Sequence, residues 1–179
     1  YRVLRQFGQA YVTFFRNIPL LVQLFFWYFG LPALFPPPDY PFIYSHGYEG
    51  TVAILTIATV MGAFSAEVVR AGVESIPIGQ IESALATGLS KKQSFISIVF
   101  LQLGPVILPG MSNEMLNVMK STSLAMTIGL TELTWQAQEL EAVTFRGFEA
   151  MTAITVVYLT ISLVINQIFR YLEYLGRRK

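Results

Sequence analysis

Cysteine is absent from all 179 residues, and histidine occurs once, at His46. Without thiols or paired ligand spacing, the chain offers no disulfide framework, no thiolate nucleophile and no Cys/His metal site. Charge is nearly as scarce: Asp, Glu, Lys and Arg make up 13% of the residues, against roughly 25% in an average soluble domain. The 12 Lys and Arg offset 11 Asp and Glu, leaving a formal net charge of +1. A whole-chain field for nucleic acid or an acidic surface is thereby excluded. Hydrophobic residues reach 54%, which excludes intrinsic disorder and argues against an ordinary water-soluble domain.

The charges are missing in blocks. Uncharged stretches of 22, 17, 21 and 20 residues lie between Arg16 and Asp39, Glu49 and Glu67, Lys92 and Glu114, and Glu149 and Arg170. A helix needs about 20 mainly apolar residues to cross a hydrocarbon core of about 30 Å. Four such stretches leave too little polar sequence to cover them with a soluble surface, so an all-α integral membrane protein with about four spans is expected, as one domain over residues 1–179. Gly104-Pro105 and Pro109-Gly110 are expected to break or kink the third span between Gln102 and Gly110, leaving its C-terminal part to cross. The apolar piece Leu124–Leu130 is too short to span and reads as a re-entrant or gate helix.

Positive charge sets the orientation. Arg2, Arg5, Arg16, Arg70, Lys91, Lys92, Arg170, Arg177, Arg178 and Lys179 fall on one side by helix parity, which the positive-inside bias makes cytoplasmic. The other side carries Asp39, Glu49, Glu132, Glu139, Glu141 and Glu149, with Tyr40, Tyr44 and Tyr48 placed for an outer aromatic belt and Tyr171 and Tyr174 for an inner one. Glu67 and Arg70, three residues apart at a span end, read as an interfacial ion pair. The terminal Arg177-Arg178-Lys179 reads as an orientation anchor. Tyr1 opens the chain without Met or a signal-like leader, and a segment before it is expected.

The loop between the second and third spans, about residues 71–92, carries the most specific local signals. Ser75 and Pro77 mark a helix start, and residues 80–87 hold good helix formers. Gly88 suits the left-handed residue that ends such a helix, and Ser90 with Gln93 forms a capping-box pattern that opens the next one. A short helix, a glycine elbow and a second helix should therefore project on the cytoplasmic face. Ala84 and Gly88 are small enough to let another backbone approach, and Glu82 supplies a directed charge.

Glu82-Ser83-Ala84, followed after three residues by Gly88, resembles the EAA loop of ATP-binding-cassette importer permeases, whose pattern is Glu-Ala-Ala, three residues, Gly. The flanking Glu67-Val68-Val69-Arg70-Ala71-Gly72 and Ser75-Ile76-Pro77-Ile78-Gly79-Gln80 resemble the polar amino-acid branch, as does 11–23 from Tyr11 to Gln23. Met111-Ser112-Asn113-Glu114-Met115, Lys120, Thr127-Ile128-Gly129-Leu130 and Thr152-Ala153-Ile154-Thr155 are similar to glutamate/aspartate permeases. The likeness covers essentially the whole chain. Two departures stand out: Ser83 replaces the first Ala of the motif, and Ile98-Val99-Phe100-Leu101 lacks the Pro of the family's Ile-x-Leu-Pro.

This resemblance implies a type I importer transmembrane domain, with four of the family's usual five spans and the first one preceding Tyr1. It implies that Glu82, Ser83, Ala84 and Gly88 couple the chain to a cytoplasmic ATPase dimer, which holds the ATP and Mg, so that this chain needs no cofactor and catalyses nothing. A second permease subunit, the same or different, and a periplasmic or extracellular amino-acid-binding protein complete the assembly in the bacterial inner membrane, with no nucleic acid. The cargo implied is glutamate, aspartate or a related polar amino acid. On residues 113–120 taken as helix, Asn113, Asn117 and Lys120 share one face. With Glu114 they are the candidate substrate residues; the competing reading has Lys120 paired with Glu114 or snorkelling to the surface. The rival function is an ATP-independent secondary transporter or channel, which often shows an internal inverted repeat; none is seen in the sequence.

Overall fold

The computed structural model describes residues 2–36 and 47–176, and no strand occurs among them. Pro37, Pro38, Asp39, Tyr40, Tyr44, His46, Arg177, Arg178 and Lys179 lie outside the described residues.

The apolar run expected to give the first span is broken near its start. Helix α1 (Arg2–Asn17) and helix α2 (Leu20–Leu34) meet at 101°. Pro19 has no N–H and biases Ile18 towards extended backbone, so the helix ends there. The Gln23 amide, 3% exposed, braces the elbow by donating to the carbonyls of Phe15 at 3.0 Å and Ile18 at 2.9 Å. These carbonyls would otherwise be orphaned away from water, at a cost of about 1–3 kcal/mol each.

Helix α3 (Tyr48–Glu74) is a full span. After it come the short α4 (Ile78–Ala86) and α5 (Lys91–Ser94), a π-helical turn over Phe95–Phe100, and α6 (Leu101–Ser121), which tightens into a 3₁₀ segment over Thr122–Ile128. Helices α7 (Leu133–Thr144) and α8 (Gly147–Gly176) complete the described chain. Three helical stretches are long and apolar enough to cross a membrane, 48–74, 91–128 and 147–176; the bent α1–α2 pair makes a fourth if counted as one span.

Two expectations about the third span, a break at its prolines and a separate short helix after it, are overturned. Pro105 and Pro109 sit inside α6 without ending it, within a continuous helical stretch of 38 residues. The prolines remove two backbone donors, but membrane helices tolerate this where neighbours and local π or 3₁₀ adjustments absorb the change. The π turn lies immediately upstream. Residues 124–130, expected as a separate re-entrant helix, instead form the 3₁₀ end of that same span and the turn after it, closed by Gly129.

Packing fixes the register. Gly110 meets Val68, Gly72 meets Ile107 and Leu103, and Gly50 meets Leu130, so α3 and α6 run antiparallel. Gly176 lies against Pro105 while Tyr158 pairs with Thr134, and α8 therefore runs back along α6 and α7. The ends bearing Arg70, Lys91, Lys92 and Arg170 are thus gathered at one end of the bundle. At the opposite end Leu24, Val52, Ala53, Ala125 and Ile128 make the buried core. Tyr48, expected in an outer belt, is turned into this core: its hydroxyl donates to the Tyr28 carbonyl at 2.5 Å. Phe26, Phe29, Leu159 and Leu163 are exposed, which suits hydrocarbon as a solvent and would be a liability in water.

Candidate functional site

The loop after α3 has the shape its residues dictate. Pro77 precedes α4 and supplies no side-chain cap, while the Ser75 hydroxyl donates back to the Gly72 carbonyl at 2.8 Å. Ser75 therefore serves the end of α3 and not the start of α4, a correction to the sequence reading. At the other end Leu89 N–H donates to the Ala84 carbonyl at 3.2 Å and Gly88 N–H to that of Leu85 at 3.0 Å. With Gly88 at φ +92, this is a complete Schellman closure. Ser90 and Gln93 form the reciprocal capping box that opens α5.

Helix α4 packs on α5 and the π turn. Glu82 and Ser83 are exposed, whereas Ala84 is 7% exposed. Ala84 is thus largely covered by this chain itself, while Gly88 at the elbow is exposed. A cleft of about 530 Å³ runs along the inner side of α4, lined by Gln80, Ser83, Ala84, Thr87 and Ile98 among others. Glu82 lies on the opposite, outward side. The amide of Gln102, in the first turn of α6, donates to the Gln80 side-chain oxygen at 2.7 Å.

Higher in the bundle a second concave site opens, a cavity of about 580 Å³ between the α1–α2 elbow, α3 and α6. Glu114, Asn117 and Lys120 all line it, with Ser121 and Leu124 continuing the α6 face. Asn113, directly before Glu114, is exposed and does not line the cavity. Lys120 makes no ion pair among the described residues, so its expected alternative pairing with Glu114 does not occur. The antiparallel register puts it near the level of Thr59, within the uncharged 50–66 stretch. One carboxylate oxygen of Glu114 is buried without a hydrogen-bond partner.

Across the cavity the elbow contributes Arg16, Asn17, Pro19 and Leu20. Sequence reading assigned Arg16 only to the orientation bias. Its guanidinium lies 5.2 Å from the centre of the Phe64 ring and 3.5 Å from Glu67, and it also borders a neighbouring cavity of about 820 Å³ between α1 and α3. The signal available was a cation directly before Asn17-Ile18-Pro19. Glu67 and Arg70 form the ion pair expected of them, and Arg70 also clamps Glu74 at 2.6 Å. Glu132 caps α7 by accepting from the Trp135 N–H at 2.8 Å and also accepts from the Tyr158 hydroxyl at 3.2 Å.

Residues 1–175 match the family of binding-protein-dependent transport system inner membrane components. The glutamate/aspartate import permease protein GltJ of Escherichia coli (strain K12) is 35% identical over 176 residues, covering 96% of this chain and 72% of that protein. The probable amino-acid ABC transporter permease protein PatM of Vibrio harveyi is 34% identical over 167 residues, 93% of this chain and 72% of its own. A crystal structure of an amino acid ABC transporter with histidines superposes with a TM-score of 0.79 at 28% identity, covering 96% of this chain and 74% of that one.

Proposed function

The chain belongs to the family of binding-protein-dependent transport system inner membrane components, and from that premise we propose that it is the permease of an importer for polar amino acids, glutamate or aspartate first among them. It is a multi-pass inner-membrane protein of the type I importer fold, and the ATP-binding-cassette reading is favoured over an ATP-independent transporter or channel. Its partners are a cytoplasmic ATPase dimer, a second permease subunit and an external amino-acid-binding protein. ATP and Mg belong to the ATPase, and this chain contributes no catalytic group.

The observation that carries this reading is α4: a short, outward-facing helix with Glu82 on its free side, stopped by a left-handed glycine and tied into α6. Such a rigid projection is what a cytoplasmic motor needs in order to grip an otherwise apolar protein. Uptake into sealed vesicles bearing the whole assembly should stop when nucleotide triphosphate is withheld. Uptake that persists on an ion gradient alone would return the secondary-transporter reading.

The 580 Å³ cavity supports a place for the cargo in this chain. Its volume lies within the usual range of small-ligand sites, about 300–1,000 Å³. Arg16 and Lys120 are cations suited to a carboxylate, and the N-terminus of α2, without an acidic residue in its first turn, adds the positive end of a helix dipole. The unpartnered oxygen of Glu114 suits an ammonium group, and Asn17, Asn117 and Ser121 offer neutral hydrogen bonds. Arg16 is shared with Glu67, so Lys120 is the lining cation without an ion-pair partner among the described residues, and it suits a side-chain carboxylate of the cargo. Lys120→Met should lower uptake of labelled glutamate about tenfold or more, the scale of one charge-assisted hydrogen bond, while the assembled complex still purifies intact. Unchanged uptake and unchanged selectivity in that variant would remove the site.

A further inference from the structure

Helix α6 reaches both ends of the mechanism. Its first turn holds Gln102, whose amide is bonded to Gln80 on α4 at 2.7 Å. Four turns later the same helix presents Glu114, Asn117 and Lys120 to the cavity. Between these points α6 crosses α3 with almost no room: a Cβ on Gly110 would stand 2.6 Å from the Val68 Cγ1, and one on Gly72 would overlap Ile107. Below the crossing lies the π turn, a segment whose widened hydrogen-bond ring marks a place where helices change shape.

We propose that the Gln80–Gln102 amide bridge attaches α4 to α6, so that displacement of α4 turns α6 about its glycine crossing with α3 and moves the Glu114–Lys120 face. The inference rests on the reading of α4 as the ATPase-coupling helix. It is supported by how α4 is held. Its packing partners are α5 and the π turn, so a load applied to it reaches the base of α6. Its backbone link to α3 is only Ser75-Ile76-Pro77, with Ile76 buried. The crossing is the fixed point because neither stiff β-branched side chain there can be displaced cheaply. Gln102 is accordingly a positioning residue: it touches neither cargo nor nucleotide and acts through the helix that carries it.

The test uses the complete transporter in sealed proteoliposomes, with labelled glutamate, aspartate and glutamine as probes, reading amino acid imported per ATP hydrolysed and the amount of ATPase retained. Gln102→Leu is expected to keep the ATPase at the wild-type level and to lower import per ATP about two- to tenfold, the range set by one hydrogen bond. Gln80→Glu combined with Gln102→Lys, which replaces the amide pair by an ion pair, should recover most of the loss. Wild-type import per ATP in Gln102→Leu overturns the proposal. So does a loss of import that merely follows loss of bound ATPase, or an ion-pair variant no better than Gln102→Leu. If wild type itself retains no ATPase, the underlying reading of α4 fails; if wild type is ATP-driven and the variants match it, only the bridge does.

Discussion

Replacing Gly88 by valine should reduce ATP-driven uptake at least tenfold, a larger loss than any single change on the exposed side of α4. The residue sits at φ +92 and closes α4 through the paired Leu89-to-Ala84 and Gly88-to-Leu85 bonds. An L-residue pays roughly 1–2 kcal/mol in the left-handed region, and a β-branched one more. The chain can escape by unwinding the last turn of α4, which costs both closing bonds and releases Ala84 from its buried seat. Gly88→Asn is the control, because asparagine visits that conformation with little penalty. Uptake should rank glycine, then asparagine, then valine, with the ATPase co-purifying least with the valine variant. By contrast, Glu82→Ala removes an exposed charge with no ion-pair partner among the described residues, and a small effect is expected. Equal uptake in the asparagine and valine variants would show that the elbow's conformation is immaterial.

The second large effect concerns the crossing of α3 and α6. Gly72→Val places two methyl groups where Ile107 and Leu103 already stand. Overpacking of this kind costs about 1–3 kcal/mol where neighbours can shift, and here the neighbour is a β-branched side chain attached to the facing helix. Thermal unfolding of the detergent-solubilised protein should move several degrees lower. Ile107→Ala, mildly destabilising by itself, should rescue part of that loss when combined with Gly72→Val, because it vacates the space the valine needs. A double-mutant cycle measures the coupling directly. Strictly additive losses would mean that the two side chains do not compete.

The features legible in the sequence are those set by a few consecutive residues. The elbow at Gly88, the capping box at Ser90 and Gln93, and the Glu67–Arg70 pair depend on spacings of three or four positions, and each is present as read. Where a local rule competes with packing, packing prevails. Proline rules alone would end the helix at Gly104-Pro105, yet α6 continues through it, because a π turn and the contacts with α3 and α8 take up the distortion. Hydropathy joined Ile18 to the run that follows, although Pro19 was visible; the composition of a window says nothing about direction, and the chain turns by 101° there. For the candidate cargo site, helical period correctly put Asn117 and Lys120 on one face. It could not tell that the α1–α2 elbow stands opposite this face, since that depends on how α6 packs against residues a hundred positions away. Arg16 is a further case: the bend at Pro19 brings a charge at the edge of an apolar run to the rim of the cavity, which its place in the sequence does not show.

The brevity of α2 bears on how the protein is made. Its 15 residues give a rod of about 22 Å, short of the roughly 30 Å that a segment must offer to partition into the bilayer unaided. The Gln23 Nε2 would enter the lipid without an acceptor unless the carbonyls of Phe15 and Ile18 received it. The settling of α2 in this region is therefore cooperative, since it depends on the packing of α3 and the 3₁₀ segment beside it.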